Sequence, residues 1–114
     1  MEKPKDPKIF LGHILDNIEK IERDFTDLSE TEYSQDVTIQ DATLRRLEVI
    51  GEAVKNLPLA FRKKYPAVPW KKIAGMRDVL IHEYFGVEIY LVWKIAVTDI
   101  PKLKRQILKI VENL

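Results

Sequence analysis

Apolar residues recur at alternating steps of three and four along nearly the whole chain, the spacing that lines one face of an α-helix. No segment sustains the period-two alternation of a half-buried strand. The first line is Phe10, Ile14, Ile18, Ile21, Phe25 and Leu28, entered through Asp6 as N-cap and Pro7 as first helical residue; it predicts a helix over roughly residues 6–28. Ser29 to Asp36 is polar and acidic and reads as a linker. A second line, Ile39, Thr43, Leu47, Ile50, Val54 and Leu57, predicts a helix over 37–57. Thr38 with Asp41 three residues on reads as a variant capping box, and Pro58 ends the helix at the residue before it. Leu59 to Tyr65 reads as a short helical piece, after which Pro66 and Pro69 frame a turn. Trp70, Ile73, Arg77, Leu80 and Tyr84 share one line over 69–84, with Gly86 suited to end that helix in the left-handed conformation. The last helix, over 87–113, carries Ile89, Trp93, Ala96, Ile100, Leu103, Ile107, Ile110 and Leu114, and Pro101 is expected to kink it or restart it after Asp99. Four main amphipathic helices plus a short helical piece, joined by short connections, predict an all-α, up-and-down bundle, a single domain over 1–114.

Composition narrows the chemistry. The start, Met-Glu-Lys-Pro-Lys-Asp-Pro-Lys, has no secretory apolar stretch, and the apolar run Ile89 to Trp93 stops at Lys94. A cytoplasmic chain without a membrane partner is therefore expected. With no cysteine, disulfides, thiolate nucleophiles and Cys-ligated metals are excluded. The formal net charge of +1 argues at first against a nucleic-acid partner. It conceals a split, however: residues 1–57 carry 8 Lys+Arg against 13 Asp+Glu, and residues 58–114 carry 11 against 5. The amino-terminal half is acidic and the carboxy-terminal half basic, which suits either an anionic partner or helices that pair within the fold or between subunits.

Candidate catalytic groups are few. His13 and His82 lie on different predicted helices, so no metal site of the HExxH kind can form and no metal ligands are expected. The four glycines are scattered singly, which excludes a phosphate-cradling loop and with it ATPase or dinucleotide chemistry. Glu48 and Glu52 lie one helical turn apart, as many solvated pairs do. What stands out is Arg77-Asp78-Val79-Leu80-Ile81-His82-Glu83-Tyr84 in the basic half. Arg77 can grip a phosphate with two parallel hydrogen bonds, and His82 can exchange a proton near neutral pH, as phosphoryl transfer on RNA requires. Five residues turn a regular helix by roughly 140° beyond one full circle, so the two side chains converge only if the helix unwinds near His82 or a second subunit completes the site. Against this stand plainer readings: Arg77 in a structural ion pair, Tyr84 in the core, His82 as a hydrogen-bonding residue near a helix end. Lys71, Lys72, Lys104 and Arg105, with the Phe61 to Tyr65 stretch, are candidate contacts to RNA phosphates, although solvated Lys/Arg faces are the commoner case.

The run from Val68 to Val87, VPWKKIAGMRDVLIHEYFGV, resembles the signature of the HepT-like HEPN-domain proteins, whose hallmark is Arg, four residues, His, one residue, Tyr. Upstream, LRRLEVIGEA from Leu44 to Ala53 is similar to the family's second helix. Downstream, Val92-Trp93 and DIPKLKRQI from Asp99 to Ile107 resemble its last, so the likeness spans roughly residues 8 to 112.

This resemblance implies a small helical bundle that forms a homodimer, with the two motifs meeting at a cleft between subunits. It implies a metal-independent endoribonuclease toxin that uses no cofactor, of a type VII-like toxin-antitoxin pair, encoded beside a minimal nucleotidyltransferase antitoxin that neutralises it by AMP transfer. Carried over residue by residue, Arg77 and His82 are catalytic, Tyr84 is the AMP acceptor and Asp78 supports them. The expected reaction is attack of a ribose 2′-hydroxyl on the adjacent phosphorus of tRNA or mRNA. The alternative reading is a non-catalytic helical partner that binds nucleotide and regulates a nucleotidyltransferase.

Overall fold

The structure, a computed structural model, describes residues 6–82 and 89–114, without the side chains of Arg77, Val79, Ile81 and His82. The described residues form helices α1 (Pro7–Phe25), α2 (Glu30–Ser34), α3 (Val37–Asn56), α4 (Leu59–Lys63), α5 (Trp70–His82), α6 (Ile89–Lys94) and α7 (Ile100–Glu112), with a π-helical turn over Ile95–Asp99 between the last two. No strand occurs among them. The fold is the expected all-α bundle, and α3 is its centre, packed against α1 on one side and α5 on another, while α7 packs on α1 and α6 reaches α2 and α3.

Local signals in the sequence account for most of these boundaries. Asp6 caps α1 by accepting from the Lys8 amide at 3.0 Å, with Pro7 at the first helical position. The buried line is Leu11, Ile14, Ile18 and Ile21, so Leu11 takes the place expected for Phe10, which is half-buried. The cap of α3 is Asp36, whose Oδ1 accepts from the Ile39 amide at 3.0 Å, and not Thr38. The carboxyl side chain two residues earlier is the better acceptor for a helix-end amide that has no partner within the helix, and a better match to the helix dipole. At the other end Leu57 is extended ahead of Pro58, as the proline ring demands.

The segment read as a polar linker is structured. Ser29 and Glu32 form a reciprocal capping box: the Ser29 amide donates to Glu32 Oε1 at 2.9 Å, and the Glu32 amide to Ser29 Oγ at 3.1 Å. These bonds hold the Glu32 carboxyl below its usual range. The single turn of α2 thereby drives Tyr33 fully into the core, 0% exposed, where its ring centroid lies 5.6 Å from Phe25 and 5.3 Å from Trp93. Phe25 and Trp93 stack at 5.3 Å, so this aromatic trio joins α1, α2 and α6. The Tyr33 hydroxyl is buried with no hydrogen-bond partner among the described residues, and burial pushes its pKa up to about 12.

The long last helix is interrupted where Pro101 was expected to disturb it. Proline has no amide proton to give to the carbonyl four residues back. The chain accommodates this one turn earlier by widening: the Ile100 amide donates to Ile95 O, five residues away. The buried line follows the wider turn, running Val92, Ala96, Ile100 and then Leu103, Ile107 and Ile110. Val92 is thus fully inside while Ile89 and Trp93 are only partly so, and Leu114 is 48% exposed, outside the line the spacing gave it.

Candidate active site

Helix α5 carries the motif as far as His82, and its start is pinned by Trp70. The indole Nε1 donates to Arg62 O at 3.1 Å and to Tyr65 O at 3.0 Å, a second donor to carbonyls that also accept from the Tyr65 and Val68 amides. Phe61, against Tyr65 at 5.2 Å and Trp70 at 6.5 Å, seals the corner. From there Ile73, Ala74 and Leu80 are buried and α5 packs along α3. Arg77 stands four residues after Ile73 and three before Leu80.

The helix remains regular through His82, so the unwinding that would turn an imidazole back toward Arg77 does not occur before that residue. Arg77 and His82 are separated by about 7.5 Å of helical rise and about 140° of rotation. Tyr84 lies outside the described residues, as do the side chains of Arg77 and His82. Asp78, next to Arg77, is placed: Lys55 of α3 donates from Nζ to its two carboxylate oxygens at 3.1 and 3.3 Å. Both groups are substantially exposed, so the pair contributes at most about 1 kcal/mol to stability. Its consequence is geometric, because it ties the motif's turn of α5 to α3. No spacing rule links residues in different helices, so nothing in the sequence pattern singles out Lys55.

Lys71 and Lys72 are exposed on the first turn of α5 and share a hollow of about 660 Å³ with Arg62 and Lys63 of α4. Lys104 is not part of that cluster; its Nζ donates to Glu22 of α1 at 2.8 Å. Arg105 is exposed on α7. A second hollow of about 560 Å³ runs beside α5, between it and the α6 to α7 segment, walled by Met76, Leu80, Leu91, Ile95 and Leu103 with Lys72, Lys102 and Asp99 at its rim. His13 is exposed on α1, edge-on to Phe10 at 6.1 Å. Among the described residues no group of three or more histidines and carboxylates is placed to hold a metal, and no helix is long and apolar enough to cross a membrane.

A search of known proteins places this architecture. The family described as "Ribonuclease HepT-like" matches residues 14–110, a span that includes the whole Arg77 to Tyr84 motif. A Methanocaldococcus jannaschii protein named "Gamma-glutamylcyclotransferase and putative RNase" is 54% identical over 96% of this chain; the chain spans 50% of that relative's length. A Caldanaerobacter subterraneus subsp. tengcongensis protein whose name carries the RNase designation alone is 45% identical over 96% of this chain and 97% of its own. The "Probable ribonuclease HepT" of Thermococcus cleftensis is 43% identical over 85% of this chain and 88% of its own. No solved structure matches. With the family match covering most of the bundle and the motif's Arg77 and His82 both on helix α5, the chain belongs to the HepT-like ribonuclease family.

Proposed function

We propose that this chain is a metal-independent endoribonuclease acting as the toxin of a type VII-like toxin-antitoxin pair, as a homodimer in the cytoplasm. The observation that carries the reading is the ungapped Arg77, His82, Tyr84 spacing inside a HepT-like match over residues 14–110. In the proposed reaction the 2′-oxygen of a ribose attacks the neighbouring phosphorus and the 5′-oxygen of the next nucleotide leaves. A 2′,3′-cyclic phosphate and a 5′-hydroxyl result. His82 takes the proton from the 2′-hydroxyl and returns a proton to the leaving oxygen, while Arg77 neutralises charge growing on the phosphoryl oxygens. Asp78, held by Lys55, fixes the turn that presents Arg77. The substrate is tRNA or mRNA.

The two-subunit cleft is supported by the helix itself. The regular α5 sets positions 77 and 82 about 140° apart around its axis, whereas a second copy can offer its own motif to the first. Apolar residues exposed close by, Tyr90 (54%), Leu91 (43%) and Val97 (42%), suit a surface that another copy covers. Incubation of the purified protein with tRNA in EDTA is expected to give fragments ending in 2′,3′-cyclic phosphate and beginning with 5′-hydroxyl. A 3′-hydroxyl end, or a requirement for added divalent metal, overturns the mechanism.

Neutralisation follows from the same site. The Tyr84 phenol oxygen attacks the α-phosphorus of ATP bound to the antitoxin, pyrophosphate leaves, and the phenolic proton is lost. The AMP so attached brings a bulky anion to the motif, which repels RNA phosphate and fills the cleft. Co-expression with a neighbouring minimal nucleotidyltransferase is expected to raise the intact mass by whole AMP units, all located on Tyr84. An adduct elsewhere sinks the antitoxin mechanism.

A further inference from the structure

The cations of the basic half are not equivalent. Lys104 of that half is paired with Glu22 of the acidic first half at 2.8 Å, and among the cations of the first half Lys55 is paired with Asp78 at 3.1 Å, Arg45 with Glu48 at 3.7 Å and Arg46 with Asp24. Arg62, Lys63, Lys71 and Lys72 are different. They line one hollow of about 660 Å³ that has no acidic residue in its wall, and among the described residues none of the four has a carboxylate within ion-pair reach. The Arg62 Nε is buried without a hydrogen-bond partner among the described residues.

The geometry is fixed by packing rather than by the charges. Phe61 and Trp70 clamp α4 onto the start of α5, and the two indole hydrogen bonds set where Arg62 and Lys63 stand relative to Lys71 and Lys72. Four like charges held on one concave wall repel one another, and an anion removes that repulsion. Lys72 and Pro69 also line the apolar hollow beside α5. The cationic wall therefore opens onto a path along the helix. From Lys72 to His82 the rise is about 15 Å, on the order of four or five phosphates at the roughly 3.4 Å spacing of a stacked strand.

We propose that the groove between α4 and the start of α5 seats the phosphate backbone of single-stranded RNA several nucleotides away from the scissile bond, an anchoring subsite separate from the Arg77 and His82 pair. This rests on the ribonuclease reading for its ligand. The groove holds the strand by charge and without reading its sequence, since its walls offer cations to phosphates and few groups to base edges.

The test is binding of the wild-type protein to a fluorescein-labelled 20-nucleotide single strand carrying 2′-O-methyl groups, which has no attacking hydroxyl. Anisotropy titrations across 50–200 mM NaCl compare wild type with a Lys63→Ala, Lys71→Ala, Lys72→Ala triple variant. A control triple, Lys8→Ala, Lys20→Ala, Arg23→Ala on α1, removes equal charge from another face. The groove triple is expected to flatten the slope of log K against log salt by about 2, as loss of three phosphate contacts on a single strand requires, and to weaken binding tenfold or more at 100 mM salt. The α1 triple is expected to behave as wild type. An unchanged slope in the groove triple, or equal losses in both triples, overturns the subsite. Failure of wild type to cut unmodified RNA overturns the ribonuclease reading instead, and the comparison of slopes still decides the groove.

Discussion

Replacement of His82 by alanine is expected to lower RNA cleavage by about 10²–10⁴-fold, the usual worth of a positioned proton-transfer group, with the melting temperature little changed. Arg77→Ala is expected to match or exceed that loss, and Arg77→Lys to recover only part of it, because an ammonium keeps the charge but cannot make the two parallel hydrogen bonds of a guanidinium. Single-turnover cleavage of a labelled RNA alongside a thermal melt makes the measurement. If Arg77→Ala unfolds the protein while a folded His82→Ala still cuts at the wild-type rate, Arg77 is a structural ion and the catalytic assignment fails. The expectation rests on motif and helix register together: α5 is unbroken through His82, and Asp78 is tied to α3 through Lys55 in the very turn that bears Arg77.

The largest expected effect on stability lies far from the motif, at Tyr33. Removing this fully buried ring from between Phe25 and Trp93 leaves a cavity where α1, α2 and α6 meet, and Tyr33→Ala is expected to cost about 3–5 kcal/mol. That is a large share of the roughly 5–15 kcal/mol typical of a domain. Tyr33→Phe should be neutral or stabilising, because it removes a buried hydroxyl that has no partner among the described residues. The same pair of proteins separates at high pH. In the unfolded chain Tyr33 ionises near its ordinary value of 10, whereas in the fold its pKa stands at about 12. Below pH 10 both states hold the proton and this group adds no pH dependence. Between pH 10 and 12 the unfolded state binds fewer protons, so stability falls as pH rises, by up to about 3 kcal/mol. Tyr33→Phe is expected to lose that part of the alkaline decline, as urea melts at pH 8, 10 and 11.5 would reveal. A phenylalanine variant that declines as steeply as wild type excludes Tyr33 as its source.

The contrast between Tyr33 and Arg77 shows what kind of information each needs. Arg77, His82 and Tyr84 are visible because the chemistry that unites them is local: eight consecutive residues carry a cation, an imidazole and a phenol, and the motif match makes that spacing specific. Tyr33 is not visible, since it sits alone in an acidic, polar stretch that offers no apolar period. Only the capping box of Ser29 and Glu32 signals a helix there, and a single turn contributes one buried side chain, too few for periodicity to register. Lys55 is hidden for another reason, as it meets Asp78 across two helices 23 residues apart.

The cation groove makes the same point for binding. Lys71 and Lys72 were legible as basic residues and so were Lys104 and Arg105, but net charge could not rank them. The fold ranks them by pairing: Glu22 neutralises Lys104, whereas no carboxylate lines the hollow that holds Lys71 and Lys72.

The order of residues by itself determined the all-helical bundle, the helix ends at Asp6 and Pro58, the disturbance at Pro101 and the helix that bears Arg77 and His82. Each of these depends on interactions within a few residues: a cap, a missing amide proton, a repeat of three and four. Only the tertiary structure decided that Tyr33 enters the core, that Lys55 grips Asp78, that the widened turn falls at Ile95–Asp99, and that four cations from α4 and α5 line one hollow. Burial and charge pairing are relations between distant segments, and they acquire definite values only once the helices have packed.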